Sequence, residues 1–157
     1  MYSKLIIVIG ICLLLSVCKK DAPLCQTAPV INDLKGNAGC WLTKDNRLLM
    51  IMQTNSLYSF PGGTSEFAES AQCTAHRETW EEAGVNVVVG NLKHQFDNGF
   101  FLFECTYDHL NLATNDSSEV SSVALVDPAS IPEDKWRFPA QRQLSIEWLN
   151  GSVTDLQ

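Results

Sequence analysis

GGTSEFAESAQCTAHRETWEEAGV, residues 62–85, is the stretch on which the fold of this chain turns. From Glu69 to Ala83 it holds neither proline nor glycine, Ser70 offers a side-chain oxygen for a helix N-terminus, and Gly84 suits a helix C-terminus. The pattern predicts a helix over residues 70–83. On a wheel turning about 100° per residue, Glu78, Glu81 and Glu82 share one arc, while Cys73, His76, Trp80 and Ala83 gather opposite them as the expected apolar face.

Carboxylates three and four residues apart on a helix repel one another. A solvated helix face is the ordinary explanation of such a cluster. A divalent cation is the other, because hard carboxylate oxygens suit Mg²⁺, which takes few protein ligands and completes its shell with water and phosphate oxygens. Gly62 and Gly63, directly after Pro61, allow a tight turn that brings backbone carbonyls near the helix.

In their spacing, Gly63, Glu69, Arg77, Glu78, Glu81, Glu82, Gly84 and Val85 resemble the signature of the Nudix hydrolases. That signature runs Gly, five residues, Glu, seven residues, Arg-Glu, an apolar residue, any residue, Glu-Glu, any residue, Gly and an apolar residue. Thr79 stands at an apolar position and departs from it. The resemblance implies an α/β fold, an α/β/α sandwich with a mixed β-sheet. It also implies Mg²⁺-dependent hydrolysis, with Mn²⁺ as the alternative ion, of the diphosphate in a nucleoside diphosphate linked to another moiety.

By the same resemblance the metal ligands are Glu78, Glu81 and Glu82 with the backbone carbonyl of Gly62, and Arg77 pairs with Glu69 to hold the glycine loop against the helix. The general base stays open between Glu78 and Glu69 inside the signature and Glu119 or Glu133 beyond it; the last two also read as surface carboxylates. Arg137 and Arg142 are either substrate contacts or solvent-facing. The alternative function is a non-catalytic module of this fold that binds a nucleotide or a protein at the cell envelope. Every signature carboxylate is in place, which counts against that alternative.

Outward from this segment, GCWLT (39–43), LLMIMQ (48–53), LYSF (57–60), VNVVVGNL (85–92), GFFLFECTY (99–107) and SSVALV (121–126) read as strands, and FPAQRQLSIEWLNG (138–151) as a final helix. Strands, helix, strands and helix again make a mixed sheet with helices packed on it. Trp41, Phe60, Trp80, Phe96, Phe100, Phe101, Trp136 and Phe138 invite base stacking, but most are needed as core in a domain this small. His76, His94 and His109 share no ligand spacing and are assigned no chemistry.

The chain has 157 residues, 11 Lys+Arg against 18 Asp+Glu and a formal charge of -7. That length fits a single domain, expected over residues 35–151, and the acidic balance with no basic block excludes a nucleic-acid groove. Residues 5–17, LIIVIGICLLLSV, form an apolar run of thirteen residues broken only by Ser16, too short to span a bilayer, and fit the core of an export signal over residues 1–18. LSVC at 15–18 resembles a bacterial lipobox, which would place a lipid on Cys18; ordinary cleavage at the same site would release a soluble protein. The protein is therefore expected outside the cytoplasm, in the periplasm or on a lipid anchor. The alternative is an uncleaved anchor with the domain kept in the cytoplasm by Lys19 and Lys20. Residues 19–34 read as a linker, and Cys25, Cys40, Cys73 and Cys105 suit either two disulfides or four thiols.

Overall fold

A computed structural model describes residues 22–30 and 33–152. The export segment and Cys18 lie outside them. Among the described residues the elements run β1 (Ala38–Trp41), β2 (Thr43–Lys44), β3 (Arg47–Gln53), β4 (Tyr58–Ser59), β5 (Gly62–Gly63), α1 (Ala71–Ala83), β6 (Val87–Gln95), β7 (Phe101–Tyr107), β8 (Val120–Val126) and α2 (Pro139–Leu149). Short 3-10 turns at Pro128–Ser130 and Glu133–Lys135 lead into α2.

One sheet has the order β5-β1-β7-β6 and is mixed: β1 and β7 run parallel, the other pairs antiparallel. A second sheet is built on β3, which pairs antiparallel with β2, β4 and β8. Alternation along β1 and β7 explains the layers, since successive side chains of a strand point to opposite faces. Ala38, Cys40, Phe101, Phe103 and Cys105 join the core that includes Ala71, Ala75 and Ala83 of α1. Trp41 and Leu102 face the other way, into a core of Phe60, Ile131 and Trp136 against which Trp148 and Leu149 of α2 pack. The sheet thus has a helix on each face, as the α/β/α expectation requires.

The expected apolar face of α1 needs correction. Ala71, Ala75, Thr79 and Ala83, four residues apart, are all fully buried, whereas Cys73 and Trp80 are only half-buried. A row of small side chains lets the helix backbone approach the sheet closely, and a tryptophan has no room there. Thr79 occupies its apolar position as a volume match, at the cost of a buried hydroxyl with no hydrogen-bond partner.

The segment expected as a linker makes contacts with the domain. The N–H of Ala28 donates to Val89 O at 2.8 Å, that of Val89 to Gln26 O at 2.9 Å, and Gln72 Nε2 to Pro29 O at 2.8 Å. Cys25 is bonded to Cys73 of α1, and Cys40 to Cys105 between the parallel strands β1 and β7.

Candidate active site

Local chemistry sets the ends of α1. Ser70 Oγ accepts the N–H of Cys73 at 3.2 Å, and Gly84, at φ 70°, donates its N–H to Trp80 O. A Cβ at Gly84 would lie 2.2 Å from Ala113 O, so glycine lets the loop after β7 close over this end. There the N–H of Ala113 donates to Ala83 O, and those of Asn115 and Asp116 donate to Glu81 O. Asn115 Nδ2 donates to Trp80 O at 2.8 Å. Carbonyls that a helix C-terminus leaves unpaired thus anchor the loop that carries Asp116 and Glu119 to the site.

Arg77 organises the other side. Its Nε and Nη2 each reach Glu69 at 3.0 Å, on separate carboxylate oxygens, and Nη2 also donates to Thr64 O at 2.8 Å. Nη1 donates to Glu78 Oε1 at 2.9 Å and to Glu81 Oε2 at 3.3 Å. Glu69 further accepts from the Glu66 N–H and from Thr74 Oγ1. Burial pushes the Glu69 carboxyl up, but the bonds from Arg77, Glu66 and Thr74 outweigh it and hold the group below the usual carboxylate range. With both oxygens engaged, Glu69 anchors the loop and is poorly placed to accept a proton from water.

Gly62 and Gly63 form strand β5, where the sequence suggested a turn: Gly63 pairs with Ala38 and Gly62 with Gly39. A Cβ on Gly63 would lie 2.6 Å from the Glu78 carboxyl carbon, so the absent side chain makes space for that carboxylate. Gly62 was expected to offer a carbonyl to a metal. Its recorded contact with the cluster is through its N–H, which donates to Glu82 Oε2 at 2.7 Å.

Glu78, Glu81, Glu82, Asp116 and Glu119 line one pocket of about 420 Å³ together with Arg77, Arg137 and the loop from Gly62 to Glu66. Burial pushes Glu82 up to about 8, helped by the charges of Glu78 and Glu119 and opposed by the Gly62 N–H. Glu78 is raised for the same leading reason, with Arg77 opposing. These shifts mark a cluster short of positive charge. The donor set therefore fits a divalent cation: hard carboxylate oxygens in a pocket roomy enough for water and phosphate. Among the described residues no three acidic, histidine or cysteine side chains already converge on one ion position.

Of the remaining candidates, Glu119 is exposed at the pocket's edge, and Arg137 lines the pocket while Glu133 does not. Arg142 is neither solvent-facing nor a site residue: it donates to Ile131 O and Ala129 O and fastens the turns ahead of α2. Asp116 was not singled out in the sequence, because only the folding of its loop onto α1 brings it to the carboxylates. His76 is buried, its Nε2 3.0 Å from Asn86 Oδ1, and burial lowers its pKa, consistent with a packing role.

Comparison with known proteins agrees with this fold. Residues 33–149 match the model of the NUDIX domain. A MutT-like protein of Streptomyces ambofaciens is 37% identical over 62 residues, which are 39% of this chain and 40% of that protein. The crystal structure of an ADP-ribose pyrophosphatase from Streptococcus suis superposes with a TM-score of 0.58 at 18% identity, covering 76% of this chain and 92% of that one. A UDP-X diphosphatase superposes with a TM-score of 0.64 at 17% identity, covering 80% and 68%.

Proposed function

The chain belongs to the NUDIX domain family, and on that premise we propose that it hydrolyses the diphosphate of a nucleoside diphosphate linked to a second moiety. One observation carries the proposal: Glu78, Glu81, Glu82 and Glu119 face a single pocket whose loop is fastened by Arg77. Glu78, Glu81 and Glu82 would hold Mg²⁺ or Mn²⁺, which when bound supplies positive charge to the diphosphate and acidifies coordinated water. The names of the neighbours support a small nucleotide-derived substrate.

The chain's own residues supply the rest. Arg77 neutralises part of the cluster and fixes Thr64 and Glu69, so the loop facing the diphosphate is rigid before substrate arrives. Arg137 adds a second cation on the pocket wall. Glu119 is exposed, and from the pocket's edge it would take the proton from attacking water. Hydrolysis of a panel of ADP-ribose, nucleotide sugars, dinucleoside polyphosphates and nucleoside triphosphates, with and without EDTA, tests the proposal. Turnover that EDTA abolishes supports it, and no turnover of any compound with Mg²⁺ or Mn²⁺ present contradicts it.

The place of action is proposed to be outside the cytoplasm, in the periplasm or held to a membrane by a lipid on Cys18. Two disulfides support an oxidising compartment, where such bonds persist. Mass spectrometry of the mature N-terminus tests this: a chain that begins with Met1 in the cytoplasmic fraction would contradict it.

A further inference from the structure

Exposed apolar side chains gather around the start of α1, on the side where the N-terminal segment is fastened. Phe67 is fully exposed, Leu24 91% and Val30 60%, and among the described residues no other large apolar side chain is as exposed as these. Each is held beside the first turn of α1 or the loop that leads into it. Leu24 precedes Cys25, which is bonded to Cys73. Val30 follows Pro29, whose carbonyl accepts from Gln72 Nε2 at 2.8 Å. Phe67 precedes Ala68, whose carbonyl accepts from Lys35 Nζ at 3.2 Å. Single exposed apolar residues are ordinary, but a group of them marks an interaction surface.

We propose that this face lies against a lipid bilayer, with Phe67, Leu24 and Val30 entering its interfacial layer. The length of the tether selects that occupant. Cys18, the proposed lipid site, stands seven residues ahead of Cys25, and an extended chain of that length reaches at most about 25 Å. A domain of this size is about 30 Å across, so its opposite face is too far around for such a tether while the Cys25–Cys73 bond holds. Charge agrees with the same occupant. Lys19, Lys20 and Lys35 outnumber Asp21 and Asp33 over residues 19–35 of a chain whose formal charge is -7, so the segment nearest the membrane is the one that an anionic lipid surface attracts. Glu66, next to Phe67, lines the acidic pocket, and docking therefore brings the rim of that pocket to the level of the lipid headgroups. The inference rests on attachment at Cys18 and goes beyond it: attachment alone leaves the domain free to tumble, whereas docking fixes which face meets the lipid.

Fluorescence quenching from within the bilayer tests it. The full chain, purified from membranes, is reconstituted into vesicles of phosphatidylcholine and phosphatidylglycerol as wild type and as Phe67→Trp, Val30→Trp and Asp134→Trp. Asp134 is exposed on the turn between Ile131 and Trp136, which belong to the core on the other face of the sheet. Above the wild-type signal, doxyl-labelled lipid is expected to quench the Phe67→Trp and Val30→Trp variants at least about threefold more than Asp134→Trp, as insertion of about 5–10 Å requires. Circular dichroism checks folding, and Leu24→Trp replaces either patch variant that fails to fold. Vesicle-bound protein in which all the added tryptophans are quenched alike, or not at all, would overturn the docked face and leave the anchor standing. Protection from aqueous iodide without doxyl quenching would show the patch covered by residues 5–17 or by a second copy, and overturns the inference as well. A chain that stays in solution when the vesicles are pelleted overturns both the inference and the attachment.

Discussion

Arg77 and Glu69 meet side-on, through two hydrogen bonds of 3.0 Å from separate guanidinium nitrogens to separate carboxylate oxygens. This pair joins the middle of α1 to the loop that follows β5, and the same guanidinium reaches Glu78 in the pocket. Bidentate geometry of this kind fixes orientation as well as distance.

Arg77→Lys keeps the charge but loses the fork, because an ammonium is a point donor on a flexible stem. We expect a loss of about 2 kcal/mol in stability, the scale of charge-assisted hydrogen bonds. Misplacing the loop should also lower kcat/KM by about 100-fold. Thermal melts and steady-state kinetics on the same preparation check both numbers; an unchanged kcat/KM would remove Arg77 from the account.

The metal-free protein should lose stability as pH rises. Burial pushes the Glu82 carboxyl up to about 8 in the folded protein, well above the 4.5 of a free glutamate. Between those values the folded state holds a proton that the unfolded state has released, so stability falls through that window and is flat below it. Glu78, also raised, adds in the same direction. Melting temperature in EDTA should therefore decline from pH 5 to pH 8, and Glu82→Gln should remove most of the slope.

The helix over 70–83 was legible because its signals are local: Ser70 caps one end, Gly84 stops the other, and the glutamates fall between. The strands were legible for the same reason, up to their ends. Strand β5 was not, because two glycines carry no strand propensity and pair only because β1 lies beside them. Nor was the buried face of α1, which is set by how closely the sheet approaches and so favours Ala75 and Thr79 over Trp80. Glu78, Glu81 and Glu82 were visible as a group, but Asp116 reaches them only through hydrogen bonds from its loop to Glu81 O, which no spacing in the sequence reveals.

Gly63→Ala places a methyl group where the Glu78 carboxylate sits, 2.6 Å from its carbon. The rest of the fold has no reason to move, so activity should fall by about 100-fold, the scale of a small misplacement at a reacting centre. The far-UV spectrum should stay unchanged. Kinetics within about twofold of wild type would show that Glu78 does not need this position.

The two disulfides should differ in access. Cys25 is exposed and Cys73 half-buried, while Cys40 and Cys105 are buried beneath α1. Mild reductant followed by alkylation and peptide mapping should label Cys25 and Cys73 first. Opening the Cys40–Cys105 link, which closes a loop of 65 residues, should lower stability by about 4 kcal/mol on the loop-entropy scale.

The central claim is that the acidic face of α1 holds a divalent cation, and Mn²⁺ binding followed by electron paramagnetic resonance tests it most directly. Wild-type protein at pH 8 should bind Mn²⁺ at a saturable site, more tightly with a nucleoside diphosphate present, and Glu82→Gln should weaken that binding by at least about tenfold, on the scale of losing one carboxylate oxygen ligand. Equal Mn²⁺ affinity in wild type and Glu82→Gln, or no saturable site in either, would contradict the account.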